Sequence, residues 1–336
     1  MKTRILLIVL AALSATYFLG PSPEEPSYPD ELPIVAFEGA EVEAFIARKE
    51  KQHNLKPGTN AKIIWAHDSA KSKTAFSLVY LHGFSASHHE GYPLHVNLAE
   101  KYGCNLYLAR LYQHGIDTTD ALFDFTAEGF YKSALEALAI GEQIGEKVIL
   151  LSTSTGCTAA LKLAADFPEV HALVNLSPNV RINDPFAFLL NNPWGGEIAK
   201  IAMGGEYRYI DGGPEYAKYW NDKYRTESLV QLQELIETTM VSETFNRVDQ
   251  PVFNGYYYAS EAEQDPVVKV SAILWMHDLL TTPDSLKVAR AFPKAENHVL
   301  ASPIKSSDVE GVESAVSDFL SNVVGMKPVA PNRKNN

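Results

Sequence analysis

Lys147-Val148-Ile149-Leu150-Leu151 runs straight into Ser152-Thr153-Ser154-Thr155-Gly156, and a helical stretch, Cys157 to Phe167, follows without a gap. The apolar run reads as a buried strand. Strand, five-residue turn and helix together make a nucleophile elbow, in which the central residue is forced into a strained backbone conformation and lifted clear of the sheet. The residues two before and two after the centre must be small, because strand and helix approach closely there. Ser152 and Gly156 hold those positions, and Ser154 stands between them. Serine replaces the usual first glycine, which loosens the pattern. A Ser/Thr-rich turn alone is more often just a turn, so the rest of the chain has to supply its partners.

The flanking sequence alternates strands and helices. After a helix from Glu41 to Gln52 come strands at Ala61 to Trp65 and Ala75 to Leu81, a helix near Leu94 to Tyr102 and a strand at Asn105 to Arg110. A helix from Ala127 to Ile144 precedes the elbow unit, and a strand at Ala172 to Leu176 follows it. Further on the pattern predicts strands at Pro251 to Tyr258 and Ala295 to His298, with a helix near Val270 to Leu280 between them. A final helix carries Val312, Val316, Phe319, Leu320 and Val323 at helical spacing. Such alternation predicts an α/β fold: a mainly parallel, doubly wound sheet with helices on both faces.

Residues 182–250 break the rhythm. They carry aromatics from Phe186 and Trp194 to Trp220 and Tyr224, then an amphipathic helix around Leu229 to Thr238. An insertion between two strands predicts a helical cap over the strand ends, most of its aromatics forming the cap's own core and the remainder facing a ligand. The main α/β body is expected over 37–325, with a disordered tail at 326–336.

The formal net charge of −12 argues against a nucleic-acid partner and against adhesion to anionic lipid. Cys104 and Cys157, the two cysteines, make no disulfide framework and read as small buried residues. Lys2 and Arg4 precede an apolar run from Ile5 to about Leu19, the pattern of a signal peptide or a short membrane anchor over 1–20. Leu13 and Phe18 spoil the small-residue cleavage sites, which favours a retained anchor. Pro21, Pro23, Pro26, Pro29 and Pro33, mixed with acidic residues, predict a stiff solvated spacer over 21–36. The leading positive charge puts the body outside the cytoplasm, on the periplasmic side, with secretion after cleavage as the alternative.

A serine hydroxyl needs a base to take its proton and an acid to orient that base. In doubly wound hydrolases these follow in the order Ser, Asp or Glu, His. His298, in Ala295-Glu296-Asn297-His298-Val299, is the candidate base; Asn297 stands where glycine is common and tolerates positive φ. Asp265, before Pro266-Val267-Val268, is the candidate acid, with Glu261 and Glu263 as alternatives on the same loop. Backbone N–H groups must meet the oxyanion. Val79-Tyr80-Leu81-His82-Gly83-Phe84 is a strand ending in a His-Gly turn, which offers the Phe84 N–H opposite the Thr155 N–H. His82 itself reads as structural.

With Leu81-His82-Gly83-Phe84, Ser152 to Gly156, Asp265-Pro266-Val267-Val268 and Asn297-His298 in place, the chain resembles α/β-hydrolases of the bacterial carboxylesterase and monoacylglycerol-lipase type. Tyr112-Gln113-His114-Gly115 falls where such enzymes often carry a Gly-His-Gly turn. The resemblance spans roughly 60–325 and implies Ser154, Asp265 and His298 as a triad without cofactor or metal. It does not fix the substrate; the aromatic-rich insertion over the pocket makes a small-molecule carboxylic ester the expected one, and Lys2, Arg4 and the apolar run predict a membrane contact through the N-terminal segment alone. The same triad serves acyltransferases, amidases and thioesterases, and a non-catalytic ligand-binding homologue is the remaining alternative. His88-His89-Glu90 fails as a zinc-helix motif, because Pro93 stands where the second histidine is needed, and reads as a surface loop near the pocket mouth.

Overall fold

The computed structural model describes residues 2–330. After an N-terminal helix α1 (Lys2–Phe18) and helix α2 (Ala40–Glu50), the chain enters a sheet through β1 (Lys62–Ile64) and β2 (Ser77–Leu81). It continues through α3 (Leu94–Tyr102), β3 (Asn105–Leu108), α4 (Ala127–Ile144), β4 (Val148–Thr153), α5 (Thr155–Asp166) and β5 (Ala172–Leu176). The insertion then holds α6 (Gly195–Met203), β6 (Tyr207–Tyr209), α7 (Gly213–Tyr219), β7 (Lys223–Arg225), α8 (Glu227–Thr239) and α9 (Ser242–Phe245). The sheet resumes at β8 (Val252–Tyr256), carries a small hairpin of β9 (Tyr258–Ser260) and β10 (Glu263–Gln264), and ends, past α10 (Val270–Leu279), at β11 (Lys287–Ala291). Helix α11 (Val309–Asn322) closes the body.

Seven strands form the sheet in the order β1-β3-β2-β4-β5-β8-β11, with β1 antiparallel to β3 and the remaining pairs parallel. The family of fold expected from the sequence is the one observed. Strands β2, β4, β5 and β8 are buried along their whole length, as central parallel strands covered on both faces must be. Their side chains alternate between two cores. Val79, Leu81 and Leu150 pack with α4 and α5 on one face; Leu78, Tyr80, Ile149 and Leu151 pack with α3 and α11 on the other.

The last strand lies earlier than expected. Residues 295–298 are loop, and β11, Lys287–Ala291, pairs with β8 at the sheet edge. Its Lys-Val-Ala-Arg-Ala sequence has little β-branched character and is half exposed, so no alternation marks it. Charged side chains on an edge strand also blunt pairing with other chains.

Tyr216, Trp220 and Tyr224 are buried within the insertion, while Phe186, Phe188 and Tyr209 are exposed. The segment expected as a solvated spacer is laid along the body. Tyr28 packs edge-to-face on Tyr131 with ring centroids 5.2 Å apart, bonds the Thr238 hydroxyl at 2.7 Å, and is followed by buried Val35. Pro21 and Thr16 accept hydrogen bonds from the Trp194 backbone N–H and indole N–H. Met326 is buried and the Val329 N–H donates to the Lys101 carbonyl, so residues 326–330 dock on the body instead of forming a disordered tail. The remainder of that tail, 331–336, lies outside the described residues. Among the described residues no helix is long and apolar enough to cross a membrane; the apolar side chains of α1, Ile5 to Leu10 among them, are exposed.

Candidate active site

Ser154 is the residue between β4 and α5, with φ 54° and ψ −118°, a conformation that side-chain-bearing residues rarely adopt. Three backbone bonds over-determine it. The Ser154 N–H donates to the Leu176 carbonyl, and its own carbonyl accepts from Cys157 and Asn179. Close approach explains Gly156: a Cβ there would sit 2.1 Å from the Leu81 carbonyl oxygen. Ser152, two residues before the centre, is fully buried and spends its hydroxyl on Asn175 at 3.0 Å, beginning a polar chain that runs on to Asn254.

Asp265 follows β10 and is fully buried. Its Oδ1 accepts the Val267 and Val268 N–H groups at 2.8 and 3.0 Å, and its Oδ2 accepts the His298 Nδ1–H at 2.7 Å. That bond fixes the tautomer and leaves His298 Nε2 as the free acceptor. Burial opposes ionisation of Asp265, but the His298 charge and hydrogen bond and the two backbone N–H groups outweigh it, holding the carboxyl below its ordinary value. For His298 burial works against the charged form, yet the Asp265 charge and hydrogen bond, with the charge of Glu90, raise it above the ordinary histidine value. Glu261 and Glu263 are exposed, and Glu261 is engaged by Tyr258 and Gln264.

The loop carrying His298 departs from expectation in one detail. Positive φ falls on Glu296, at 53°, and not on Asn297. Asn297 instead accepts the Val299 N–H on its side chain at 3.0 Å, an Asx turn that caps the histidine from behind.

The His-Gly turn after β2 is held by two histidines. His82 donates from Nδ1 to the Gly83 carbonyl and accepts the Leu111 N–H on Nε2; His114 donates to the Tyr112 carbonyl and accepts the Ser85 N–H. Both rings are fully buried, and burial drives the pKa of His82 down to about 4 and that of His114 well below normal, so they stay neutral. His82 is structural, as expected. The Phe84 N–H has no partner among the described residues, and the Thr155 N–H stands free at the first turn of α5.

Ser154, His298, Phe84 and Thr155 face one cavity of about 570 Å³. Its roof is the insertion: Phe186, Leu189, Leu190, Ile198, Met203, Tyr216, Trp220, Tyr224 and Leu232 line it. The lining is mainly apolar, with Arg208 and Lys305 as its basic members. The Ser154 hydroxyl has no hydrogen-bond partner among the described residues, His298 included.

One residue at the site runs against the sequence reading. Glu90, expected on a surface loop, is buried beside the His-Gly turn, and its neighbours His88 and His95 are buried too. A signal was available: the segment from Ala86 to Tyr92 follows the central strand β2 after only four residues, straight after the His-Gly turn, and so starts beside the site. Among the described residues no group of three or more His, Cys, Asp or Glu is arranged to hold a metal.

The family model described as "Alpha/beta hydrolase family" matches residues 78–302. No curated protein sequence matches the chain. Among solved structures, one reported with two metagenome-derived lipolytic enzymes superposes with a TM-score of 0.63 at 16% identity, covering 80% of this chain and 100% of its own. MenH from S. aureus gives 0.52 at 15% identity, over 78% and 97% of the two chains. A lipase-esterase related protein from Clostridium acetobutylicum gives 0.50 at 18% identity, over 77% and 99%. With a doubly wound sheet, an elbow between β4 and α5, and a family match running from β2 to the loop past His298, the chain belongs to the α/β-hydrolase family.

Proposed function

We propose that the protein is a serine hydrolase that cleaves carboxylic esters with an apolar acyl or alcohol part. The observation that carries this reading is Ser154 at φ 54°, facing the same cavity as a histidine hydrogen-bonded at 2.7 Å to a buried aspartate. In the proposed reaction His298 Nε2 takes the Ser154 proton as Oγ attacks the ester carbonyl. The Phe84 and Thr155 N–H groups receive the developing oxyanion, aided by the dipole of α5. Collapse of the intermediate expels the alcohol, which takes the proton back from His298. Water, deprotonated by the same ring, then frees the acid. No cofactor or metal enters this scheme.

The apolar roof supports a neutral, greasy substrate, since such a lining buries an apolar chain while a few polar groups orient the reacting carbonyl. Reaction with a fluorophosphonate tests the reading. The intact chain should be modified once, at Ser154, and Ser154→Ala should take up no label. Labelling at another residue, or none in a folded chain, would remove Ser154 as the nucleophile.

For the N-terminal segment we propose export, with Lys2 and Arg4 on the cytoplasmic side and the catalytic body outside. The membrane fraction and the N-terminal residue of the mature chain distinguish a retained anchor from a cleaved signal.

A further inference from the structure

Glu90 is a buried carboxyl that the reaction above leaves unused. It is 3% exposed, and its Oε2 accepts the Gly83 N–H at 2.6 Å. Gly83 immediately precedes Phe84, so Glu90 grips the peptide next to the one that offers the free Phe84 N–H. On its other side the same glycine touches the nucleophile. A Cβ placed on Gly83 would lie 2.9 Å from Ser154 Cβ and 3.0 and 3.1 Å from the two Glu90 oxygens. The turn is thus wedged between a serine and a carboxylate, with no room for any side chain.

The electrostatics around Glu90 are unusually bare. It forms no ion pair with a lysine or arginine among the described residues. Facing it are Tyr80 from β2, Cys157 from α5, Tyr216 and Trp220 from the insertion, and His298 from the loop beyond β11. Burial raises the pKa of Tyr80, Cys157 and Tyr216, so all three are neutral at working pH. The nearby His82, His88, His89 and His95 are all driven down, by burial first, and carry no charge either. Lys305 and Arg208 also line the cavity, but stack over or bond to other groups, Lys305 over the Tyr216 ring and Arg208 on Met203. Among the described residues, His298 is the one group facing Glu90 that acquires a positive charge in the proposed reaction.

We propose that Glu90 is a positioning residue: its carboxyl holds the Gly83–Phe84 turn so that the Phe84 N–H faces the carbonyl under attack, and its negative charge strengthens His298 as a base. The inference deepens the serine-hydrolase reading and rests on it. Burial moves the Glu90 carboxyl up to about 7, and the Glu90 charge is among the causes that raise His298 above the ordinary histidine value, so the two ionisations are linked.

The test uses the full chain with Glu90→Gln and Glu90→Ala. Fluorophosphonate labelling of Ser154 is followed from pH 5 to 9, beside kcat and KM on p-nitrophenyl butyrate and titration of the His298 Nδ1–H proton resonance. Glutamine keeps an oxygen for the Gly83 N–H and loses the charge. Its labelling limb and its His298 resonance should both move to lower pH by about half a unit or more, with a plateau within about threefold of the parent. Alanine loses the acceptor as well, and its kcat plateau should fall roughly 10- to 100-fold with KM nearly unchanged. A His298 titration in Glu90→Gln that superimposes on the parent would overturn the electrostatic role. An undiminished plateau in Glu90→Ala would overturn the positioning role. Failure of the parent itself to label counts against Ser154 as nucleophile, while the resonance titration still decides the coupling of Glu90 to His298.

Discussion

The Ser177 hydroxyl donates to the backbone carbonyl of His298 at 2.7 Å, tying the histidine loop to the end of β5, the strand beside the one that presents Ser154. Ser177 is itself strained, at φ 50°, and its N–H is anchored on Gly255 of β8 at 2.7 Å. His298, the proposed base, is therefore located by the sheet and not by its own loop alone. Ser177→Ala should leave a buried carbonyl without its donor, costing about 1–2 kcal/mol in denaturant unfolding. It should also lower kcat several-fold with KM unchanged, because a base displaced by a fraction of an ångström loses its line to the serine. Unchanged kcat would mean that the Asp265 bond suffices to place the ring.

Ser154, His298 and Asp265 should fail together. Ser154→Ala and His298→Ala should each abolish most of the turnover, and the double variant should lose little more, because both act in one proton transfer. Asp265→Asn should cost on the order of 10⁴-fold in kcat by permitting the wrong tautomer of His298. The corresponding amide at Glu261 or Glu263, both exposed, should cost little. Additive losses in the Ser154/His298 pair would contradict a shared step.

Most of this frame was legible in the sequence because it depends on local chemistry. The elbow is written in a strand run, a small-residue turn and a helix, and Asp265 and His298 follow in the order that a doubly wound sheet requires. Two features were not legible, for different reasons. The edge strand Lys287–Ala291 takes its pairing from β8, and nothing in its own five residues announces that. Glu90 looked like a solvated loop residue because charge and histidines normally mean exposure, yet tertiary packing under the insertion buries the loop. The spacer was legible in part: its acidic residues are exposed, while Tyr28 and Val35 dock it on the body.

Burying Glu90 carries a stability cost that depends on pH. Its folded-state pKa is raised, from an ordinary 4.5 to about 7, so the folded protein keeps up to about pH 7 a proton that the unfolded chain releases above about pH 4.5, and ionising Glu90 in the folded state weakens folding. The penalty is absent below that pH, grows as pH rises, and is complete above 7, where it reaches on the order of 3 kcal/mol. Glu90→Gln should therefore unfold at higher denaturant than the parent at pH 8, and the gap should close by pH 4. A constant gap across that range would locate the effect in packing and not in the charge.

The activity limb of the parent should lie above the ordinary histidine value. His298 must be neutral to accept the serine proton, and its pKa is raised because the charges of Asp265 and Glu90 outweigh the opposing effect of burial. Activity should therefore rise with pH through a midpoint higher than 6.5. A midpoint well below that figure in kcat/KM would mean that the carboxylates do not face a free imidazolium.

A side chain on Gly83 or on Gly156 should abolish activity, for reasons that differ in kind. A Cβ on Gly156 would meet the Leu81 backbone oxygen at 2.1 Å, so Gly156→Ala must push α5 off β2 and should unfold the protein or lower its Tm by more than 10 °C, roughly 2–4 °C per kcal/mol in a domain of this size. On Gly83 the obstacles are side chains, Ser154 Cβ and the Glu90 oxygens near 3 Å. Gly83→Ala should fold, with a modest loss of stability, and should lose activity. Equal Tm shifts for the two variants would refute this distinction.

The cavity under the insertion sets how the enzyme should read chain length. Its walls from Phe186 to Leu232 are mainly apolar, and apolar burial gains only ~0.8 kcal/mol for each methylene, roughly fourfold in binding. Such a pocket climbs gradually with acyl length and stops where its volume ends, because no single contact makes an all-or-none distinction. At about 570 Å³ it has room for a medium acyl chain beside the ester group. Across p-nitrophenyl esters of two to twelve carbons, kcat/KM should rise stepwise and then level or fall. Leu190→Trp or Ile198→Trp, by filling the roof, should move that break to shorter chains without altering the rate on the acetate. A flat series, or activity confined to charged amides, would remove the apolar-ester reading in favour of an amidase.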